Sequence, residues 1–114
     1  MKRLITMLSA GTVAILLAGG AYGADPVVTP AQIAAAKTPA DHEAIAAAYD
    51  KEAARLEALA KEHEAMAKSY QAAGATQKGY NAASMATHCK KLAEQYAAAA
   101  KENRELAKEH RAMK

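Results

Sequence analysis

Residues 38–74 read TPADHEAIAAAYDKEAARLEALAKEHEAMAKSYQAAG. Thr38 suits the N-cap of a helix, and Pro39 suits its first helical position. No glycine or proline interrupts the following positions until Gly74, which can end a helix in a left-handed conformation. The stretch therefore predicts one helix over residues 39–73, about 50 Å long at a rise of 1.5 Å per residue.

A second long helix is expected after a short connection at residues 74–80. Asn81 or Thr76 can cap this helix, and no breaker follows, so we expect it to span residues 81–113. So short a connection makes the two helices antiparallel neighbours. The predicted fold is all-α, a long antiparallel two-helix hairpin with coiled-coil-like packing over residues 38–114.

The two helices repeat one sequence pattern. LAKEHEAM at residues 59–66 recurs as LAKEHRAM at residues 106–113, an offset of 47 residues. Steps of three and four residues trace a stripe over about four heptads in each helix, which is typical of helices that pack along a seam. The predicted seam consists of His42, Ile45, Tyr49, Glu52, Leu56, Leu59, His63, Met66 and Tyr70, and of Met85, Cys89, Leu92, Tyr96, Ala99, Asn103, Leu106, His110 and Met113.

The N-terminal residues 1–23 have the features of a signal peptide. A positive n-region precedes an apolar run over residues 4–17, and small residues stand where a peptidase would cleave after Gly23. Cleavage would leave a periplasmic or secreted chain with no stable membrane insertion and a linker over residues 24–37 that can hold a short helix. The alternative is an uncleaved anchor, because the apolar segment approaches the roughly 20 residues that span a bilayer.

Charge and composition exclude several classes of function. The predicted signal peptide carries two of the 15 basic residues and none of the 12 acidic ones, so the mature chain is close to neutral. It thus lacks the clustered positive charge of a nucleic-acid-binding protein. It also shows no nucleophile with a base and no phosphate-binding glycine loop, so we expect no enzyme. Alanine dominates and Phe and Trp are absent, so a homo-oligomer or a partner helix is expected to complete the core.

Soft metal ligands fall at two places on the predicted seam. Folding the chain about residues 76 and 77 pairs residue i with a residue near 153 − i, which also sets Glu52 opposite Asn103. Imidazole, thiolate and thioether together suit a copper ion, with zinc as the second choice. The loop-end site would use His63, Met66, Met85 and Cys89 with His88 on the flank, and the weaker open-end site would use His42, His110 and Met113.

Three functional hypotheses follow from this pattern. The first is an exported protein that binds and buffers copper. It resembles the copper-storing four-helix bundles in general design, but those have many core cysteines and this chain has only Cys89, so their residue roles do not carry over. The second is a structural or interaction module that dimerises into a four-helix bundle or docks on a partner helix. The third is a bundle that holds haem non-covalently between His and Met.

Overall fold

Three helices make up the computed structural model, which describes residues 27–74 and 81–113. The short helix α1 spans Pro30–Ala35, and the long helices α2 and α3 span Pro39–Gly74 and Ala82–Ala112. Helices α2 and α3 pack against each other along their length, and the described residues contain no strand. The predicted all-α hairpin is therefore confirmed. The predicted signal peptide over residues 1–23 lies outside the described residues.

Helix α1 lies within the predicted linker. Its N-cap Thr29 accepts a hydrogen bond from the backbone of Gln32, and the Gln32 side chain accepts one from the Thr29 backbone in return. This reciprocal pair is a capping box, which fixes the start of a helix with two local hydrogen bonds. None of the α1 side chains is buried, so the helix rests on local interactions rather than on packing.

Helix α2 begins with a second reciprocal cap. Thr38 Oγ1 accepts from the Asp41 N–H at 3.1 Å, while Asp41 Oδ2 accepts from the backbone N–H groups of Lys37 and Thr38, both at 3.0 Å. The bonds from Lys37 and then Thr38 stabilise the ionised carboxylate and lower the pKa of Asp41 below its ordinary value of 3.8. The helix start expected from Thr38 is thus observed.

Gly74 ends α2 in a different way from the one predicted. Its φ is not positive, so the expected left-handed conformation is wrong. A Cβ placed on Gly74 would overlap the Cβ of Ala82 at the start of α3. The glycine therefore permits a close approach between the two helices. Helix α3 is capped by Asn81, whose side chain accepts from the Ser84 N–H at 3.3 Å; the alternative cap, Thr76, lies outside the described residues.

Alanines spaced seven residues apart fill the interface between α2 and α3. None of them exposes more than 7 % of its surface. Each of these four alanines of α2 lies opposite one of α3, because their residue numbers add up to 153. We call these matches the alanine pairs. Because methyl groups are small, such an interface allows the helix axes to approach closely. The alanine pairs are Ala46 with Ala107, Ala53 with Ala100, Ala60 with Ala93, and Ala67 with Ala86.

The predicted seam is right for α2 and half wrong for α3. Every predicted residue of α2 is buried or half-buried. On α3, however, Met85, Leu92, Leu106 and Met113 expose 41, 38, 40 and 46 % of their surface. The alanine that follows each of the first three lies in the interface instead, and the larger residue lies at the edge of the interface. The surface row formed by Met85, Leu92, Ala99, Leu106 and Met113 is called the α3 stripe below.

Glu52 and Asn103, which the pairing rule sets opposite each other, each form hydrogen bonds within their own helix. Glu52 accepts two hydrogen bonds from Arg55 on its own helix, at 2.6 and 2.8 Å. The Asn103 side chain donates to the backbone oxygen of Ala99 at 2.8 Å, again within one helix. Each polar group thus has a hydrogen-bond partner one turn away on its own helix. Such a local bond loses less conformational entropy than a bond across the interface.

Ion pairs connect the outer edges of α2 and α3. Arg104 lies 2.8 Å from Glu57, and Arg111 contacts both Glu43 at 3.1 Å and Asp50 at 2.6 Å. These pairs agree with the antiparallel register of the alanine pairs. None of α1, α2 and α3 has a stretch apolar enough to cross a bilayer.

Candidate metal centre

Two histidines meet at the open end of the hairpin. His42 lies in the first turns of α2 and His110 in the last turn of α3, so the antiparallel register brings them together. Their Nδ1 atoms are 3.0 Å apart, and their ring centroids are 5.2 Å apart. His110 is buried with 6 % of its surface exposed, and His42 is half-buried. The sequence predicted this meeting, which we call the histidine pair.

One aromatic ring contacts the histidine pair. The ring of Tyr49 packs on His110 with a centroid separation of 5.8 Å. Met113, the third residue of the predicted open-end site, follows the last helical residue and is largely exposed. The structure therefore brings together two of the three predicted open-end ligands.

The spacing of the two nitrogens has a direct chemical meaning. A 3.0 Å separation is that of a hydrogen bond between one ring that donates and one that accepts. The same separation allows both nitrogens to bind a single ion, since metal–nitrogen bonds of about 2.0–2.1 Å then subtend an angle of about 90–100°. Such an angle is that of two adjacent ligands in a square-planar or octahedral ion, which leaves further coordination positions for other donors.

The loop-end residues come together only in part. Met66 and Cys89 belong to one cluster with Ala67 and Ala86, and Cys89 is a free, buried thiol. His88 and Met85 are exposed. Met85 belongs to the α3 stripe and His88 is exposed, so neither is buried with Met66 and Cys89.

His63 takes a different partner from the one predicted. Its ring stacks on Tyr96 with centroids 5.3 Å apart and planes inclined by 26°. Its Nδ1 atom is buried and has no hydrogen-bond partner. A buried nitrogen in that condition loses its hydration without compensation, which is unfavourable.

The offset of 47 residues appears in the structure as an approximate two-fold relation. It maps His63 onto His110 and Tyr49 onto Tyr96, so the ring contacts His63–Tyr96 and His110–Tyr49 are equivalent in position. The two histidine–tyrosine contacts were missed in the sequence, although both pairs have the same residue-number sum and the repeat already linked them. The same offset maps His42 onto Cys89, so a thiol stands at the loop end where the open end has an imidazole.

Beyond the histidine pair, no larger cluster of ligands forms. Within residues 27–74 and 81–113, no three side chains of His, Cys, Asp or Glu are placed to hold one ion. No protein-family model, curated protein or solved structure matches the chain.

Proposed function

We propose that the mature chain is an exported copper-binding protein and that His42 and His110 are its principal ligands. The observation that supports this best is the 3.0 Å separation of their Nδ1 atoms. The start of α2 and the end of α3 supply the two histidines, so the site exists only in the folded hairpin. Export is inferred from the predicted signal peptide over residues 1–23.

Copper fits the histidine pair better than other first-row ions. For a given set of nitrogen and oxygen ligands, affinity among divalent ions peaks at Cu(II), and zinc binds less tightly. An angle of about 90–100° at the ion also suits adjacent positions in a tetragonal Cu(II) site. Two protein ligands leave the ion open to exchange, which agrees with a buffer that passes copper on.

The metal-free alternative is an interaction module in which the histidine pair is only a hydrogen bond. Under that hypothesis the imidazoles add helix contacts at the open end, and no ion is needed. Haem has less support, because a porphyrin between α2 and α3 would have to separate the alanine pairs. The alternatives differ in whether added copper stabilises the folded chain.

The test compares ion binding by three forms of residues 24–114 in which Cys89→Ala removes the thiol that would react with Cu(II). The first form has no other change, the second carries His42→Ala, and the third carries His88→Ala as the matched control. His88 is exposed and lies away from the histidine pair, so its loss should leave the site intact. Thermal unfolding is followed by circular dichroism with Cu(II) and then Zn(II).

We expect Cu(II) to raise the unfolding midpoint of the first form and of the His88→Ala control. At a free ion concentration of about 100 times Kd, stabilisation by linkage is about 2.7 kcal/mol. The His42→Ala form should lose this gain. The electron paramagnetic resonance spectrum of bound Cu(II) should show two nitrogen ligands in the first form and in the His88→Ala control, but not in the His42→Ala form. An equal rise in the His42→Ala form would refute the site.

A further inference from the structure

The α3 stripe is an apolar row at the edge of the α2–α3 interface, and its large side chains are only partly covered by the hairpin. Its four large residues expose 38–46 % of their surface, at positions seven residues apart or a multiple of seven. From Met85 to Met113 the row is about 42 Å long at 1.5 Å per residue. Soluble proteins rarely leave so long a contiguous apolar surface uncovered when they act as monomers.

We infer that the α3 stripe binds the α3 stripe of a second copy of this chain, with the two α3 helices antiparallel. The order of residues carries this inference. Read in either direction from Ala99, the row is Ala, Leu, Met. A two-fold axis at Ala99 would pair Leu92 with Leu106 of the second copy and Met85 with Met113 of the second copy. A two-fold interface requires such self-complementarity, whereas an unrelated partner does not.

The exposed residues along the outer edge of the stripe agree with the antiparallel direction. His88, Gln95, Glu102 and Glu109 follow one another at intervals of seven and are all exposed. In the antiparallel dimer, His88 faces Glu109 of the second copy, and Gln95 faces Glu102 of the second copy. In a parallel dimer the two-fold axis would run along the helices and place this edge on the side opposite its counterpart, so these contacts would not form.

The internal repeat explains why α3 and not α2 carries this surface. The offset of 47 residues maps the centre of the stripe, Ala99, onto Glu52 of α2. Glu52 binds Arg55 and places a charge at the middle of the corresponding row. The corresponding row of α2 therefore carries a charge at its centre, whereas the α3 stripe has a methyl group there. This makes α3 the helix suited to close contact with a second copy.

The first experiment measures self-association. The full chain is expressed with its own N-terminal segment, purified as the cell leaves it, and examined by sedimentation equilibrium. The variant Leu92→Glu places a charge on the stripe, and Ala97→Glu places the same charge on an exposed position away from it. Since both residues are exposed in the hairpin, neither variant should unfold it, and circular dichroism checks this.

We expect the parent chain and the Ala97→Glu control to be dimers. Leu92→Glu should weaken dimerisation more than about a hundredfold, because two buried leucine contacts are lost at each interface. A parent chain that remains monomeric at the highest concentration would overturn the inference. A dimer that tolerates Leu92→Glu as well as Ala97→Glu would overturn it too.

The second experiment tests the direction of the two helices. In a Cys89→Ala background, Ala99→Cys places a thiol on the inferred two-fold axis, and Met85→Cys places one far from it. Mild oxidation should cross-link Ala99→Cys into a covalent dimer and leave Met85→Cys alone as a monomer. Cross-linking at both positions would indicate parallel helices, and cross-linking at neither would place the contact elsewhere; either result overturns the inference.

Discussion

At the scale of the residue, the carboxylate of Asp41 shows how local hydrogen bonds set the start of a long helix. One of its oxygens accepts from two backbone N–H groups that would otherwise be unpaired at the N-terminus of α2. These bonds favour the charged form and lower the pKa of the carboxyl. The contribution to stability is therefore tied to ionisation of this one group.

The pH dependence of folding should change when Asp41 is replaced by Asn. Because the folded pKa lies below the ordinary value of 3.8, the stabilisation is complete above that value and is lost as pH falls through the folded pKa. The variant should thus unfold at a lower temperature than the parent near pH 7, and the difference should shrink below about pH 4. Thermal melts across pH 2.5–7 measure this, with the exposed Glu62→Gln as control; a difference that stays constant over the range would argue against it.

The sequence predicts which turns of α2 and α3 lie opposite each other, but not which side chains contact each other. The pairing rule placed His42 opposite His110, and the structure confirms that meeting. It also placed His63 opposite Met85 and Cys89, but the ring turns to Tyr96 instead. Register fixes which turns of two helices meet, whereas side-chain rotamers decide which atoms touch, and spacing alone carries no information about them.

At the scale of the element, the alanine pairs decide how α2 and α3 meet. The hairpin and its register could be predicted from the sequence, because both follow from helix signals and a short connection. Four of the nine seam positions predicted on α3 were wrong, because large apolar residues were taken as the core. The informative signal was the run of alanines spaced by seven in both helices, whose small size, not their hydrophobicity, sets the interface.

A larger side chain in an alanine pair should destabilise the hairpin. Ala53 is fully buried, and Ala100 faces it with 1 % exposed. We expect Ala53→Leu to lower the free energy of unfolding by about 1–3 kcal/mol, because no space exists for three added carbons. Chemical denaturation measures the change. The neighbouring Ala54 is exposed, so Ala54→Leu should be nearly neutral and serves as control. Equal stability of the two variants would mean that the helices are not packed on these alanines.

At the scale of the whole molecule, α2 and α3 share a sequence pattern at an offset of 47 residues and are related by an approximate two-fold. The two-fold relates the two histidine–tyrosine contacts to each other. It does not hold for His42, because the equivalent position in α3 is Cys89. The two ends of the hairpin are therefore built alike and differ in one ligand. This difference makes the open end the proposed copper site and leaves His63 Nδ1 without a partner.

Restoring the equivalence should create a second ion site. Cys89→His would place an imidazole near His63 in the way that His42 lies near His110. We expect the number of Cu(II) ions bound per chain to rise from one to two, measured by equilibrium dialysis followed by metal analysis. Cys89→Ala should bind one ion and acts as the control. A stoichiometry of one in the Cys89→His variant would show that the two ends are not equivalent in their side-chain geometry.

The tyrosines stacked on histidines also give the hairpin an optical property. The chain has no tryptophan, so its ultraviolet emission arises from tyrosine alone. Tyr49 packs on the histidine pair at the open end, and Tyr96 packs on His63 nearer the loop. A bound Cu(II) ion quenches a fluorophore within a few ångströms. The fluorescence of Tyr49 and Tyr96 should therefore decrease when an ion binds to the neighbouring imidazoles.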